Sequence, residues 1–303
     1  MIVEAKGLRK RYNTVWALDG LDLSVQEGEI YGLLGPNGSG KTTTILILLG
    51  LTEPTEGTVR VCGYDPVREP LAVKRVVGYL PEKVGFYEEL SAWENLRLIT
   101  RLNGIPEPEA KRRIGEALEQ VGLAEVARRP VATFSHGMRQ RLGIADVLVK
   151  KPKLAILDEP TSGIDPEGAA QILELIKRLR GEAGMTVILS SHLLYQVQRI
   201  CDRVGILQKG RMVAEGRVAE LTGSGAGFLA VVEKARPELH ARLEGEEWTL
   251  SVEDLGGGRL RVTLEEGARE KLFEIVAEEG AIITELRPQV RTLEEIYLRY
   301  FQE

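Results

Sequence analysis

Apolar positions along the chain follow two rhythms. Short, almost wholly apolar runs recur at EIYGLL (29–34), LAILDEP (154–160) and MTVILSSH (185–192), each stopped by glycine or polar residues. That pattern predicts strands buried on both faces. Stretches with a helical period alternate with them: TTTILILLGL (42–51), SAWENLRLITRLNG (91–104), EAKRRIGEALEQVGL (109–123), GMRQRLGIADVLVKK (137–151), PEGAAQILELIKRLR (166–180) and LLYQVQRIC (193–201). Pro106, Pro108 and Pro130 separate the helices of the 91–151 region. Further strands are expected at IVEAKGL (2–8), LDLSV (21–25), TVRVCGYD (58–65) and VVGYLPE (76–82). RVGILQKGRMVAEG (203–216) reads as a hairpin turning at Lys209 and Gly210. Strands and helices in alternation imply an α/β fold with a parallel sheet covered on both sides.

The rhythm changes near Leu221. TGSGAG (222–227) has the composition of a flexible hinge. After it the expected order is strand 228–232, helix 237–243, strand 248–252, a glycine turn at 256–258, strand 259–264, helix 268–280 and strand 281–286. The sequence βαββαβ predicts a ferredoxin-like α+β module. A last helix is expected over 292–303. The boundary is placed near 219, giving domains 1–219 and 220–303, with a helical segment at about 85–150.

Composition narrows the class. The chain has 303 residues, which suits about two domains. A charged fraction of 28% and an apolar fraction of 43% are those of a soluble globular protein. The longest strongly apolar run, Ile45 to Leu51, is too short to span a bilayer, and the N-terminal MIVEAKGLRK has no signal-peptide character. Cys62 and Cys201 stand far apart and are expected to be reduced thiols of a cytosolic protein. A net charge of −5 argues against a nucleic-acid partner.

Chemistry first appears at GPNGSGKT, residues 35–42. It fits G-x-x-x-x-G-K-[ST] at every fixed position and lies between an expected strand and helix. Such a loop turns backbone N–H groups inward around a phosphate chain, and the following helix adds its positive dipole end. Gly35, Asn37, Gly38, Ser39, Gly40, Lys41, Thr42 and Thr43 are therefore the candidate nucleotide-binding residues, with Lys41 on the β- and γ-phosphates and the Thr42 hydroxyl on Mg²⁺. The loop alone leaves kinases, GTPases and many ATPases open. A second motif discriminates: LAILDEP ends an apolar strand in two carboxylates, Asp158 and Glu159, and TSGID follows. Asp158 is placed to hold Mg²⁺ through water and Glu159 to polarise the attacking water.

With the segment FSHGMRQR (134–141), beginning a helix, the chain resembles the ATPase subunit of ATP-binding cassette (ABC) transporters. The family signature LSGGQ keeps its serine as Ser135 and its second glycine as Gly137. Phe134, His136 and Met138 replace the leucine, first glycine and glutamine. Ser135 also reads as an ordinary N-cap. The resemblance covers about residues 1–220 with the motifs in order. It implies a P-loop NTPase fold with a RecA-like core, an antiparallel β subdomain and a helical arm. It implies that each nucleotide lies between the glycine loop of one subunit and the signature of another. Tyr12 matches the aromatic residue that stacks on adenine, with Trp16 as its competitor. Glu82, in GYLPE, stands where the family commonly has a glutamine contacting Mg²⁺ and water. His192, in SSHLL, matches the histidine that contacts the γ-phosphate.

The implied function is ATP binding and hydrolysis, with ATP and Mg²⁺ bound, to power export through a separately encoded integral membrane permease. The ATPase would sit at the cytoplasmic face as a homodimer or with a sister subunit. Phe86, Tyr87, Leu90 and Trp93 are candidates for an apolar patch facing the permease, or for internal packing of the arm. Two other classes are a soluble cassette acting on ribosomes or DNA and a non-hydrolysing regulatory module. The single cassette and the short interval between glycine loop and signature disfavour the first. Asp158, Glu159 and His192 disfavour the second.

Overall fold

The computed structural model describes residues 1–223, 227–265, 267–288, 293–294 and 296–297. The chain forms two compact units, Met1–Arg217 and Val218–Glu303.

The first unit begins with two long strands, β1 (Val3–Tyr12) and β2 (Val15–Val25), followed by β3 (Ile30–Leu34), α1 (Lys41–Leu48), β4 (Glu56–Val61), α2 (Pro70–Val76) and β5 (Val77–Leu80). Three helices follow: α3 (Ala92–Leu102), α4 (Glu107–Gln120) and α5 (His136–Val149). The unit continues through β6 (Leu154–Asp158), α6 (Pro166–Ala183), β7 (Thr186–Ser191), α7 (Leu194–Ile200), β8 (Arg203–Gln208) and β9 (Arg211–Arg217). β1 and β2 extend well beyond the two short strands expected, and α2 was not expected. The extension is an exposed hairpin in which Arg9, Lys10 and Arg11 mask the period-two alternation. α2 buries only Val73, so its seven residues leave no apolar stripe to read.

Two sheets share this unit. An antiparallel sheet has the order β2-β1-β4, and a six-stranded sheet the order β5-β6-β7-β3-β8-β9. All neighbours in the larger sheet are parallel except β8 and β9. Every residue of β3, β6 and β7 is buried, as the unbroken apolar runs require for central parallel strands. One hydrophobic cluster joins Leu8, Leu21 and Val59 of the small sheet to Ile45 and Leu48 of α1 and to Leu33 and Ile156 of the large one. α1 is thus clamped between the two sheets, and its N-terminal end is fixed in space.

The helical segment starts with a reciprocal cap: Ser91 Oγ accepts from Glu94 N–H at 3.2 Å, and Glu94 Oε2 accepts from Ser91 N–H at 2.9 Å. Buried Asn95 binds the preceding turn, donating to the carbonyls of Tyr87 and Ser91. Of the four residues considered for an exposed apolar patch, only Tyr87 is largely exposed, at 61%. Phe86, Leu90 and Trp93 are half-buried, and Trp93 stacks under Arg128 at 4.5 Å.

The second unit opens with α8 (Val218–Gly223), where Thr222 Oγ1 donates to Val218 O, so helix occupies the first part of the expected hinge. It continues β10 (Phe228–Glu233), α9 (Pro237–Glu244), β11 (Thr249–Gly256), β12 (Arg259–Leu264), α10 (Arg269–Glu278) and β13 (Ile282–Pro288). The antiparallel order β11-β12-β10-β13 is the ferredoxin-like arrangement. Its core gathers Val232, Leu239, Val262 and Leu272. Most of the expected helix at 292–303 lies outside the described residues. Among the described residues no helix is long and apolar enough to cross a membrane.

Candidate functional site

β6, β7 and β3 are neighbours and run parallel, so their carboxyl ends open on one edge. Asp158 pairs with Ser190 across β6 and β7, and Ser191 with Leu34 across β7 and β3. The register therefore brings the glycine loop after β3, the carboxylates ending β6 and the histidine ending β7 to one place. Ligands bind at such edges in parallel α/β sheets.

The glycine loop takes a shape that only glycine permits at two points. Gly35 and Gly40 have φ of 154° and 110°. A Cβ on Gly40 would come 2.7 Å from Leu18 Cδ2 and 2.8 Å from the Ala17 carbonyl, both on β2. A Cβ on Gly35 would collide with Ser39 Oγ. Gly40 caps α1 without a side-chain hydrogen bond, which leaves the first-turn N–H groups pointing out of the helix end. Asn37, Gly38 and Thr42 are exposed at the rim, and Thr43 is half-buried. Ser39 Oγ is buried with no partner, a spare polar group beneath the loop.

Lys41 is only 7% exposed and lies under the loop, donating to the carbonyls of Gly35 at 2.6 Å and Pro36 at 3.1 Å. Burial pulls its ammonium below the ordinary lysine value, and the charges of Glu159, Asp158 and Glu82 oppose that shift. Asp158 is likewise buried, which raises its carboxyl; the Ser190 hydroxyl bonded to Oδ1 and the Lys41 charge hold it down. Glu82 is exposed between β5 and α3, yet its charge acts on both Lys41 and Asp158. One lysine and three carboxylates thus share a single field.

Glu159 has φ of 48°, a left-handed backbone that a non-glycine residue seldom adopts. Its N–H donates to Ser190 O at 3.1 Å, and its Oε2 lies 2.9 Å from His192 Nδ1. A carboxylate only accepts, so Nδ1 carries the proton. Sequence reasoning missed Ser190, whose hydroxyl bonds the Asp158 carboxylate and whose carbonyl holds the Glu159 backbone N–H. Its only sequence signal was a polar residue in a wholly buried strand end, shared with Ser191.

Among the described residues no cluster of three or more His, Cys, Asp and Glu could cage a metal. Thr42, Asp158 and Glu82 offer hard oxygens. Mg²⁺ bound together with phosphates asks for only one or two carboxylates, so the donor set fits.

Tyr12 and Trp16 flank the tip of the β1–β2 hairpin, exposed by 45% and 37%. Trp16 has two guanidinium groups over its ring, Arg9 at 5.3 Å and Arg11 at 5.4 Å; Tyr12 has one ammonium, Lys10, at 5.0 Å. Two residues beyond Trp16, Leu18 packs against Gly40, which sets the hairpin beside the glycine loop.

Ser135 caps α5, its Oγ accepting from Met138 N–H at 3.3 Å. Ser135 and Gly137 line a separate cleft of about 310 Å³ whose other walls include Arg141, Gly163, Asp165 and Gly168. No residue of the glycine loop lines it. Phe134 is buried, so its aromatic ring replaces leucine without altering the surface.

A family profile described as ABC transporter matches residues 18–162. The chain is 42% identical over 220 residues to the linearmycin resistance ATP-binding protein LnrL of Bacillus subtilis (strain 168), covering 73% of this chain and 70% of that one. It is 35% identical over 298 residues to the bacitracin transport ATP-binding protein BcrA of Bacillus licheniformis, covering 98% and 96%. It is also similar to the solved dimeric, post-hydrolysis state of an ATP-binding cassette bound to ADP and Pi, with a TM-score of 0.65 and 28% identity over 71% of this chain and 98% of that one.

Proposed function

The chain belongs to the ABC transporter family as an ATP-binding, ATP-hydrolysing subunit, and from that membership we propose that two copies close face to face on two ATP molecules and drive export through a separate integral membrane permease, the pair lying on the cytoplasmic face of the membrane. The observation that carries this reading is the separation, on one unit, of the helix N-terminus behind the glycine loop from the helix N-terminus capped by Ser135. The glycine loop gathers Lys41, Asp158, Glu159 and His192, while Ser135 and Gly137 line a cleft of their own. A second copy supplies what each site lacks. Dimerisation is supported by the dimeric cassette to which the chain is similar, and export by the resistance and transport relatives.

In this reading the loop N–H groups and Lys41 hold the triphosphate. Thr42, Asp158 and Glu82 would hold Mg²⁺, which would supply positive charge to offset that of the triphosphate. Glu159 takes a proton from the water that attacks the γ-phosphorus as the bond to the β–γ bridging oxygen breaks and ADP leaves, and His192 fixes the Glu159 carboxylate through Nδ1–H. Ser135 Oγ accepts its cap bond as an oxygen lone pair, which leaves its own O–H free to donate to the γ-phosphate held by the other copy. Tyr12 stacks on adenine; the two cations over Trp16 leave Tyr12 the less covered ring.

The purified chain is expected to release phosphate from ATP when Mg²⁺ is present and to stop when Mg²⁺ is chelated. ATP binding without any phosphate release would identify a regulatory module instead. Tyr12→Ala should weaken ATP binding by about tenfold or more, the loss of one base–aromatic stack. Trp16→Ala should do less, and the reverse order in a nucleotide titration would move the adenine platform to Trp16.

A further inference from the structure

His136 stands where the signature resemblance has a glycine, and the structure gives its side chain a partner. Its Nε2 lies 2.9 Å from the carbonyl oxygen of Ser162. A carbonyl only accepts, so Nε2 carries the proton. Ser162 lies in the loop 160–165, which leaves Glu159 and ends at Asp165, the N-cap of α6. The imidazole also covers Gly163, where a Cβ would come 3.3 Å from Nε2.

The rest of the loop is tied to the catalytic side. Ser162 N–H donates to Glu159 O at 3.1 Å, and Ile164 N–H to Thr161 O at 3.3 Å. Thr161 Oγ1 donates to Gln196 Oε1 on α7 at 2.5 Å, with both groups buried. Glu159 N–H is itself held by Ser190 O. A short, cross-braced loop thus runs from the base to the imidazole, and the imidazole sits on the first turn of the helix that Ser135 caps.

We propose that His136 is a positioning residue: a strap that fixes the N-terminal end of α5 to the loop behind Glu159. This rests on the reading that Ser135 grips one nucleotide while Glu159 serves the other. Under that reading the strap couples the two ATP sites through one chain. Movement of the signature end on the partner's γ-phosphate pulls on the loop that orients this chain's general base. A glycine there has no side chain to make this bond to Ser162 O.

The test compares the native chain with His136→Gly and His136→Gln, whose amide N–H replaces the Nε2 donor. Loss of one neutral hydrogen bond is equivalent to about 2- to 10-fold. His136→Gly should lower kcat for ATP hydrolysis by about that factor with the Kd for ATP unchanged, and His136→Gln should restore it. Amide hydrogen exchange over 161–165 should accelerate by a similar factor in His136→Gly and return in His136→Gln. Native turnover in His136→Gly overturns the strap, as does a folded His136→Gln as slow as the glycine variant. Unchanged exchange overturns it whether or not the chain hydrolyses ATP. A native chain that binds ATP without turnover defeats instead the hydrolytic reading on which the strap rests.

Discussion

Glu159→Gln should reduce ATP hydrolysis by roughly 10²-fold or more, the usual weight of a positioned general base, while ATP binding persists. The amide matches the carboxylate in shape, so the strained backbone at φ 48° and its hydrogen bond to Ser190 O need not change. What disappears is a group that can take a proton from water. Binding should survive because Lys41 and the loop N–H groups are untouched. Removing the negative charge that acts most strongly on Lys41 also lowers repulsion toward a triphosphate. Phosphate release and a nucleotide titration on the same preparation measure both sides. Turnover at the native rate would remove Glu159 from the base role.

Lys41→Ala should act on the other quantity. The ammonium is buried and donates to two loop carbonyls, so its loss removes the positive charge beneath the phosphates and leaves Gly35 O and Pro36 O short of a donor. Truncating one partner of a buried, hydrogen-bonded charge pair costs about 2–5 kcal/mol. ATP affinity should therefore fall at least about 30-fold, to a level at which hydrolysis disappears with it. A circular dichroism melt separates this loss from unfolding. A folded variant with native affinity would contradict the assignment of Lys41.

These residues were legible because the chemistry demands both type and place. A lysine after clustered glycines and two acids at the tip of an apolar run have few other uses, and parallel topology brought them together at the ends of β3, β6 and β7. The ferredoxin-like order of the second unit was equally readable, since its strands alternate and its helices carry one apolar face. The length of the β1–β2 hairpin was hidden because Arg9 and Arg11 lie on Trp16, and a cation over a ring looks in sequence like scattered charge. The hydroxyl of Ser190 beneath Asp158 and the Thr161–Gln196 bond depend on three-dimensional neighbours 32 and 35 residues away, which no local period encodes. His136 showed in the sequence only as a departure; its bond to Ser162 gives the departure a physical content.

We propose that a second copy of the chain completes each catalytic site. Sedimentation of Glu159→Gln with Mg²⁺ and saturating ATP tests it most directly, with bound nucleotide counted in the same peak. The expected result is a particle of two chains holding two ATP molecules, which separates when nucleotide is withdrawn and fails to form when Ser135 is replaced by arginine. Single chains fully loaded with ATP, and unchanged by that replacement, would contradict it.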